Sequence, residues 1–175
     1  VKLKKLIEQN GLTPVALLNT HLHFDHIYGN KFILETYGLK TYASPKDQFF
    51  IDTFIDQLNI FQMPADEQAP EIGTKIKEGD VIEIGSIKLQ VIETPGHSAG
   101  SVCFYAKEQN VCFTGDTIFK QSVGRTDFPT GSQREIMESI TGKLLRLPDD
   151  TILYPGHGES TDVAWEKLNN PYLEY

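Results

Sequence analysis

Three imidazoles and one carboxylate fall within six positions, His21-Leu22-His23-Phe24-Asp25-His26, directly behind the apolar run Val15-Ala16-Leu17-Leu18. Neutral imidazole nitrogen and carboxylate oxygen are the ligands that zinc, iron and similar borderline cations take. On extended backbone, side chains two residues apart point the same way. His21 and His23 can therefore share one ion. Asp25 and His26 lie just beyond, where the chain turns, and can point to a second position. The other two of the five histidines, His97 and His157, each close a Pro-Gly-His run at the end of an apolar segment.

Three later segments share one shape: an apolar strand, a turn, then a ligand type. They are Ile92 to His97, Val111 to Asp116, and Ile152 to His157. Strands laid side by side present their ends along one edge, so ligands distant in sequence can converge. The glycine before each ligand lets the backbone turn tightly. A single histidine near a strand end is usually a hydrogen-bonded residue. Five so placed, together with Asp25 and Asp116, point to metal binding. A second motif competes: Gly96-His97-Ser98-Ala99-Gly100 fits G-x-S-x-G, the nucleophile elbow of serine esterases. The elbow needs a helix to follow, whereas Ser101 to Tyr105 reads as strand. Ser98 is better read as a turn residue or a hydrogen-bond partner of His97.

These residues need a scaffold. A chain of 175 residues is the size of one domain with a real core. Helical spacing of Leu3, Leu6 and Ile7 ends at Gly11. Val15 to Asn19 reads as a short buried strand, residues 27–37 as a helix ended by Gly38, and Lys40 to Ala43 as a strand. Ser44-Pro45 then caps a helix with Phe50, Phe54, Leu58 and Phe61 on one face, and Pro64 and Pro70 bound a polar loop. From residue 80 the period is two: Val81 to Ile84 and Ile87 to Ile92 flank a turn, and Ser101 to Ala106 and Val111 to Thr114 follow. Residues 117–132 read as a long loop of the kind that carries function. Ser132-Gln133-Arg134-Glu135 is a capping box before a helix bearing Ile136, Ile140, Leu144 and Leu147. Thr151 to Tyr154 is a last strand, and a short helix lies near residues 162–168. Mixed strands and helices argue for packed layers of both.

A net charge of -8 argues against a general binder of nucleic acid or anionic membrane, which needs clustered Lys and Arg. No apolar run approaches bilayer length. The N-terminal segment, broken by Lys4, Lys5 and Glu8, lacks a signal-peptide pattern. Cys103 and Cys112 read as small buried apolar side chains. A cytoplasmic protein is expected.

The pattern resembles the metallo-β-lactamase-fold superfamily and, within it, the glyoxalase II-like hydrolases, from the T-H-x-H-x-D-H run to Asn170-Pro171-Tyr172-Leu173. The resemblance implies an α/β (α+β) fold, an αββα sandwich formed by residues 1–175 as one domain. It implies that His21, His23 and His97 hold a first metal, that Asp25, His26 and His157 hold a second, and that Asp116 bridges them. Two divalent ions are implied, zinc foremost, with iron and manganese as the other choices. Two cations acidify a shared water and stabilise an oxyanion, so Asp25, which can orient that water, and Asp116 take catalytic roles. The implied activity is hydrolysis of a small ester or thioester, such as the glutathione thioester S-lactoylglutathione. Arg125 is either the clamp for an anionic substrate or the partner of Asp127 or Glu135. The run Gly124-Arg125-Thr126-Asp127-Phe128 is also similar to persulfide dioxygenases, which use one iron and supply an alternative. A serine esterase and a non-catalytic metal-binding domain are the other readings. The chain is expected to depart from glyoxalase II at both ends. The helical C-terminal extension that helps bind glutathione is not expected after the short helix near residues 162–168, and the strands that normally precede the first helix are expected to be missing. The first sheet is therefore expected to have an exposed edge. Oligomeric state is left open.

Overall fold

The computed structural model describes residues 2–64 and 70–173; the loop expected between Pro64 and Pro70 lies, at 65–69, outside the described residues. Helix α1 (Lys2–Gln9) contributes no buried residue and is followed by Gly11 at φ +59. Strand β1 (Leu17–Leu18) is shorter than the apolar run suggests. Helices α2 (Phe24–Ile27) and α3 (Asn30–Tyr37) replace the single helix read at 27–37. A continuous helix would need the His26 carbonyl for the Asn30 N–H. Here the Asn19 side chain donates to that carbonyl instead, at 2.9 Å. Gly38, at φ 71, ends α3 as expected.

After β2 (Thr41–Ala43), the Ser44 side chain accepts from the Lys46 N–H with Pro45 opening a 3-10 turn. The phenylalanine-rich helix breaks at Thr53 into α4 (Gln48–Asp52) and α5 (Phe54–Ile60). Phe50, Phe54 and Leu58 are buried, whereas Phe61 is exposed and stacks on Phe24. Strand β3 (Ile72–Lys75) completes a three-stranded parallel sheet in the order β1-β2-β3. Among the described residues β1 pairs with β2 alone.

The larger sheet contains β4 (Val81–Ile84), β5 (Ile87–Glu93), β6 (Val102–Ala106) and β7 (Val111–Gly115) as an antiparallel meander. The segment read as a long loop instead carries a small hairpin, β8 (Ile118–Phe119) with β9 (Ser122–Val123). Its two-residue strands are too short to show a period. Helix α6 (Gln133–Gly142) starts where Ser132 accepts from the Glu135 N–H at 3.3 Å. Strand β10 (Ile152–Pro155) joins β7 in parallel, β11 (Thr161–Asp162) adds the outer edge, and α7 (Val163–Asn169) follows.

Alternation along β6 places its side chains on two faces. Cys103 and Tyr105 pack with Ile136, Ile140, Leu144 and Val163 under α6 and α7. Val102, Phe104 and Ala106 face the other way, toward Leu18 and Tyr42 of the small sheet. A third core joins Ala43 and Leu22 to Phe50, Phe54 and Leu58 of α4 and α5. The layering is therefore helix, sheet, sheet, helix, the αββα sandwich implied by the resemblance.

Candidate metal centre

Strand direction gathers the site. Strands β5, β7 and β10 point the same way, because two antiparallel steps separate β5 from β7 and β10 is parallel to β7. Their C-terminal ends share one edge and launch His97, Asp116 and His157. The His-rich turn after β1 is tied to that edge by the Val102 N–H, which donates to Thr20 O at 2.8 Å. Gly96 and Gly115 take φ values of 138 and 50, which glycine adopts freely.

The seven candidate ligands come together, and among the described residues their atoms form three overlapping clusters, one of which joins His21, His26 and Asp116. His21, His23 and His97 are all buried and offer atoms within 4.8 Å of one another; Asp25, His26 and His157 do the same in a more open position. Asp116 stands between them, with Oδ1 3.5 Å from His26 Nε2 and Oδ2 3.6 Å from both His97 Nε2 and His157 Nε2. Asp25 Oδ2 lies 3.4 Å from His157 Nε2 and 3.6 Å from His26 Nε2.

The donor set fits divalent cations. Among the described residues, the buried Nε2 atoms of His21, His23 and His97 and the Oδ1 of Asp116 have no hydrogen-bond partner in the protein. Buried polar atoms are normally satisfied, and these four converge. The His97 Nδ1–H donates to Arg125 O at 2.8 Å, which aims the Nε2 lone pair inward, as in metal-ligating histidines. Burial, reinforced by neighbouring imidazoles, holds His21 well below its ordinary value and brings His23 down to about 3. Both imidazoles are neutral at neutral pH. Burial also acts on His26 and Asp116, but the attraction between the two facing groups outweighs it: the imidazole goes up and the carboxyl goes down.

One expected outcome is an acid-sensitive metal-free protein. His21 and His23 bind protons less readily folded than unfolded, so stability is present above the unfolded value near 6.5 and is lost as pH falls below it. Each contributes a slope of about 1.4 kcal/mol per pH unit, and the loss from His23 continues down toward its folded value of about 3. Thermal unfolding of chelator-treated protein at pH 7.5, 6.5 and 5.5 checks this; an unchanged midpoint would contradict buried neutral imidazoles.

Ser98 is not a nucleophile. It is fully buried, its Oγ donates to Asp47 Oδ2 at 2.8 Å and meets Ser101 Oγ at 2.8 Å, and the segment runs on into β6. Among the described residues no histidine nitrogen hydrogen-bonds its hydroxyl. This also corrects the expectation that it supports His97, whose ring partner is Arg125 O. The Arg125 side chain is held by Asp127 through Nε and Nη2, at 2.7 and 2.6 Å, and lies 4.0 Å over the Phe128 ring. Of the two readings offered for it, the pair with Asp127 is the one seen. Cys103 and Cys112 are free and buried. No helix among the described residues is long and apolar enough to cross a membrane.

Sequence reasoning missed Asp47, a fully buried carboxylate bonded to Leu22, Ser98 and Gly100. It reads locally as an ordinary acidic residue in a first helical turn, and no short pattern marks its distant partners.

The family model of the metallo-beta-lactamase superfamily matches residues 2–157. Hydroxyacylglutathione hydrolase GloC of Haemophilus influenzae is 34% identical over 174 residues, which cover 98% of this chain and 82% of that protein. The solved structure of BLEG-1 B3 metallo-beta-lactamase superposes with a TM-score of 0.91 at 34% identity, over 98% of this chain and 83% of the other. That of TTHA1623 in a di-iron-bound form gives 0.88 at 34% identity, over 98% and 84%.

Proposed function

Because the chain belongs to the metallo-beta-lactamase superfamily, we propose that this metallo-hydrolase is a glyoxalase II-like enzyme that holds two divalent cations, zinc foremost, and cleaves a small thioester such as S-lactoylglutathione. The observation that carries the reading is the convergence of six candidate ligands, in two sets of three, about Asp116. His21, His23 and His97 would hold one ion and Asp25, His26 and His157 the other. When bound, such a pair supplies an acidified water for attack and a Lewis acid for the substrate carbonyl.

The protein's own groups do the rest. Neutral His21 and His23 present lone pairs without competing protons. Ionised Asp116 balances positive charge at the centre of the site. Asp25 is half-exposed, so its Oδ2 can hold the proton released when water adds to the thioester carbonyl. The rings of Phe50 and Phe128 lie 4.3 and 5.3 Å from the His23 ring and exclude water from that side. Arg125 would take the anionic end of the substrate by exchanging Asp127 for it. GloC, named as a hydroxyacylglutathione hydrolase, supports the thioester class, and two unpaired thiols support a cytoplasmic setting.

The test is metal content per chain together with turnover of S-lactoylglutathione. About two zinc ions and chelator-sensitive hydrolysis are expected. A single iron with oxygen uptake on glutathione persulfide would replace this reading by the dioxygenase suggested by Gly124 to Phe128. Bound metal with neither activity would leave a metal-binding domain without catalysis.

A further inference from the structure

We infer that Asp47 is the positioning residue of the three-histidine set, a single carboxylate that fixes the two loops carrying His21, His23 and His97 in one register. The inference rests on the metal-site reading above and deepens it.

Asp47 lies just before α4 and is 0% exposed. Its Oδ2 accepts from the Leu22 N–H at 3.0 Å and from the Ser98 hydroxyl at 2.8 Å, and its Oδ1 accepts from the Gly100 N–H at 2.6 Å. Leu22 separates His21 from His23, and Ser98 adjoins His97. One carboxylate thus clamps the backbone on both sides of the buried set. The same region reaches His23 a second time, through the Phe50 ring of α4. The Asp47 carboxylate bonds the backbone of Leu22 and Gly100 and the Ser98 hydroxyl, and among the described residues none of its hydrogen bonds goes to the segment that carries His157.

All three donors are neutral. A buried carboxylate without a bonded cation is costly, and burial accordingly pushes the Asp47 carboxyl up from its ordinary value. A residue whose only task was to fill this space would be less costly as an apolar side chain. What the carboxylate provides is two acceptor oxygens, one for each loop, and an amide cannot replace them. In the Asp47→Asn variant one oxygen becomes an NH2 group. Whichever way that amide turns, an N–H of Leu22 or Gly100 then faces a donor. The approach is also close enough to require glycine at 100, where a Cβ would stand 2.5 Å from Asp47 Cγ.

Glu166 provides the control. It is equally buried and accepts from the Gln121 N–H, the Thr161 hydroxyl and the Asn170 amide at 3.0, 2.6 and 2.7 Å, yet it holds neither loop of the three-histidine set. The experiment titrates zinc into folded metal-free protein against a chromophoric chelator, for the wild type, Asp47→Asn, Gly100→Ala and Glu166→Gln, with folding checked by circular dichroism. Asp47→Asn should bind zinc about 10- to 100-fold more weakly at one of the two sites, and Gly100→Ala should weaken the same site. Glu166→Gln should lower the thermal midpoint and leave both zinc affinities unchanged. If Asp47→Asn does not fold, Gly100→Ala carries the test. Wild-type zinc affinity in both folded variants would overturn the inference, as would an equal loss in Glu166→Gln, which would mean general destabilisation. A wild-type protein that binds no zinc would instead overturn the metal-site reading on which this rests.

Discussion

Asp116→Ala should lower kcat/KM for the hydrolysed substrate about a thousandfold or more, which corresponds to about 4 kcal/mol in the barrier. Asp116 lies within 3.6 Å of imidazoles from both sets, touching His26 through Oδ1 and His97 and His157 through Oδ2. In the proposed site its removal would leave each set with its own three residues and withdraw the group that stands between them. The variant should therefore still bind metal, with the two sites uncoupled and the zinc content below that of the wild type. Asp116→Asn gives the intermediate case: it keeps the shape and one acceptor and loses the charge that faces His26. Steady-state kinetics and metal analysis on folded variants check both. Undiminished kcat/KM in Asp116→Ala would mean that chemistry needs only one set, and the dinuclear reading would fall.

What the sequence discloses and what it hides follow one physical division. His21 to His26 are adjacent in the chain, and His97, Asp116 and His157 each follow an apolar strand. Those features are local, so the seven candidate ligands are legible in the sequence itself, and the family resemblance they carry implies two sets of three with Asp116 between them. The strands with a clear period of two, β4 to β7, are legible for the same reason, and so is the Ser132 cap. The elements that sequence reasoning misses lack a local signature. Strand β3 has one partly buried and three exposed residues, so no apolar alternation announces it. The hairpin of β8 and β9 has two-residue strands. The break between α2 and α3 is caused by a side chain seven residues upstream of His26, that of Asn19, competing for a carbonyl. Asp47 is the extreme case, since its partners are 25, 51 and 53 positions away and no short window of sequence contains them together.

The glycines before the ligands divide in the same way and lead to the second large effect. Gly96 and Gly115 have the positive φ that a tight turn suggests; Gly156 does not, and its role is space. A Cβ at Gly156 would lie 2.3 Å from Asp116 Oδ1 and 2.8 Å from His26 Cε1. Its N–H also donates to Gly115 O at 2.9 Å, which pins the turn before His157 against the turn before Asp116. The backbone cannot retreat without breaking that bond, so an added methyl must displace the carboxylate and the imidazole. A displacement near 1 Å at reacting groups costs about a hundredfold in rate. Gly156→Ala should therefore lower kcat/KM about a hundredfold with every ligand still present. An alanine is conformationally acceptable there and restricts the unfolded chain, so the thermal midpoint of the metal-free protein should change little. This pairing of a large kinetic loss with a small stability change separates displaced ligands from a damaged fold. If Gly156→Ala instead retained wild-type turnover and zinc content, Asp116 would be free to move without consequence, and its placement between the two sets could not be what makes the site work.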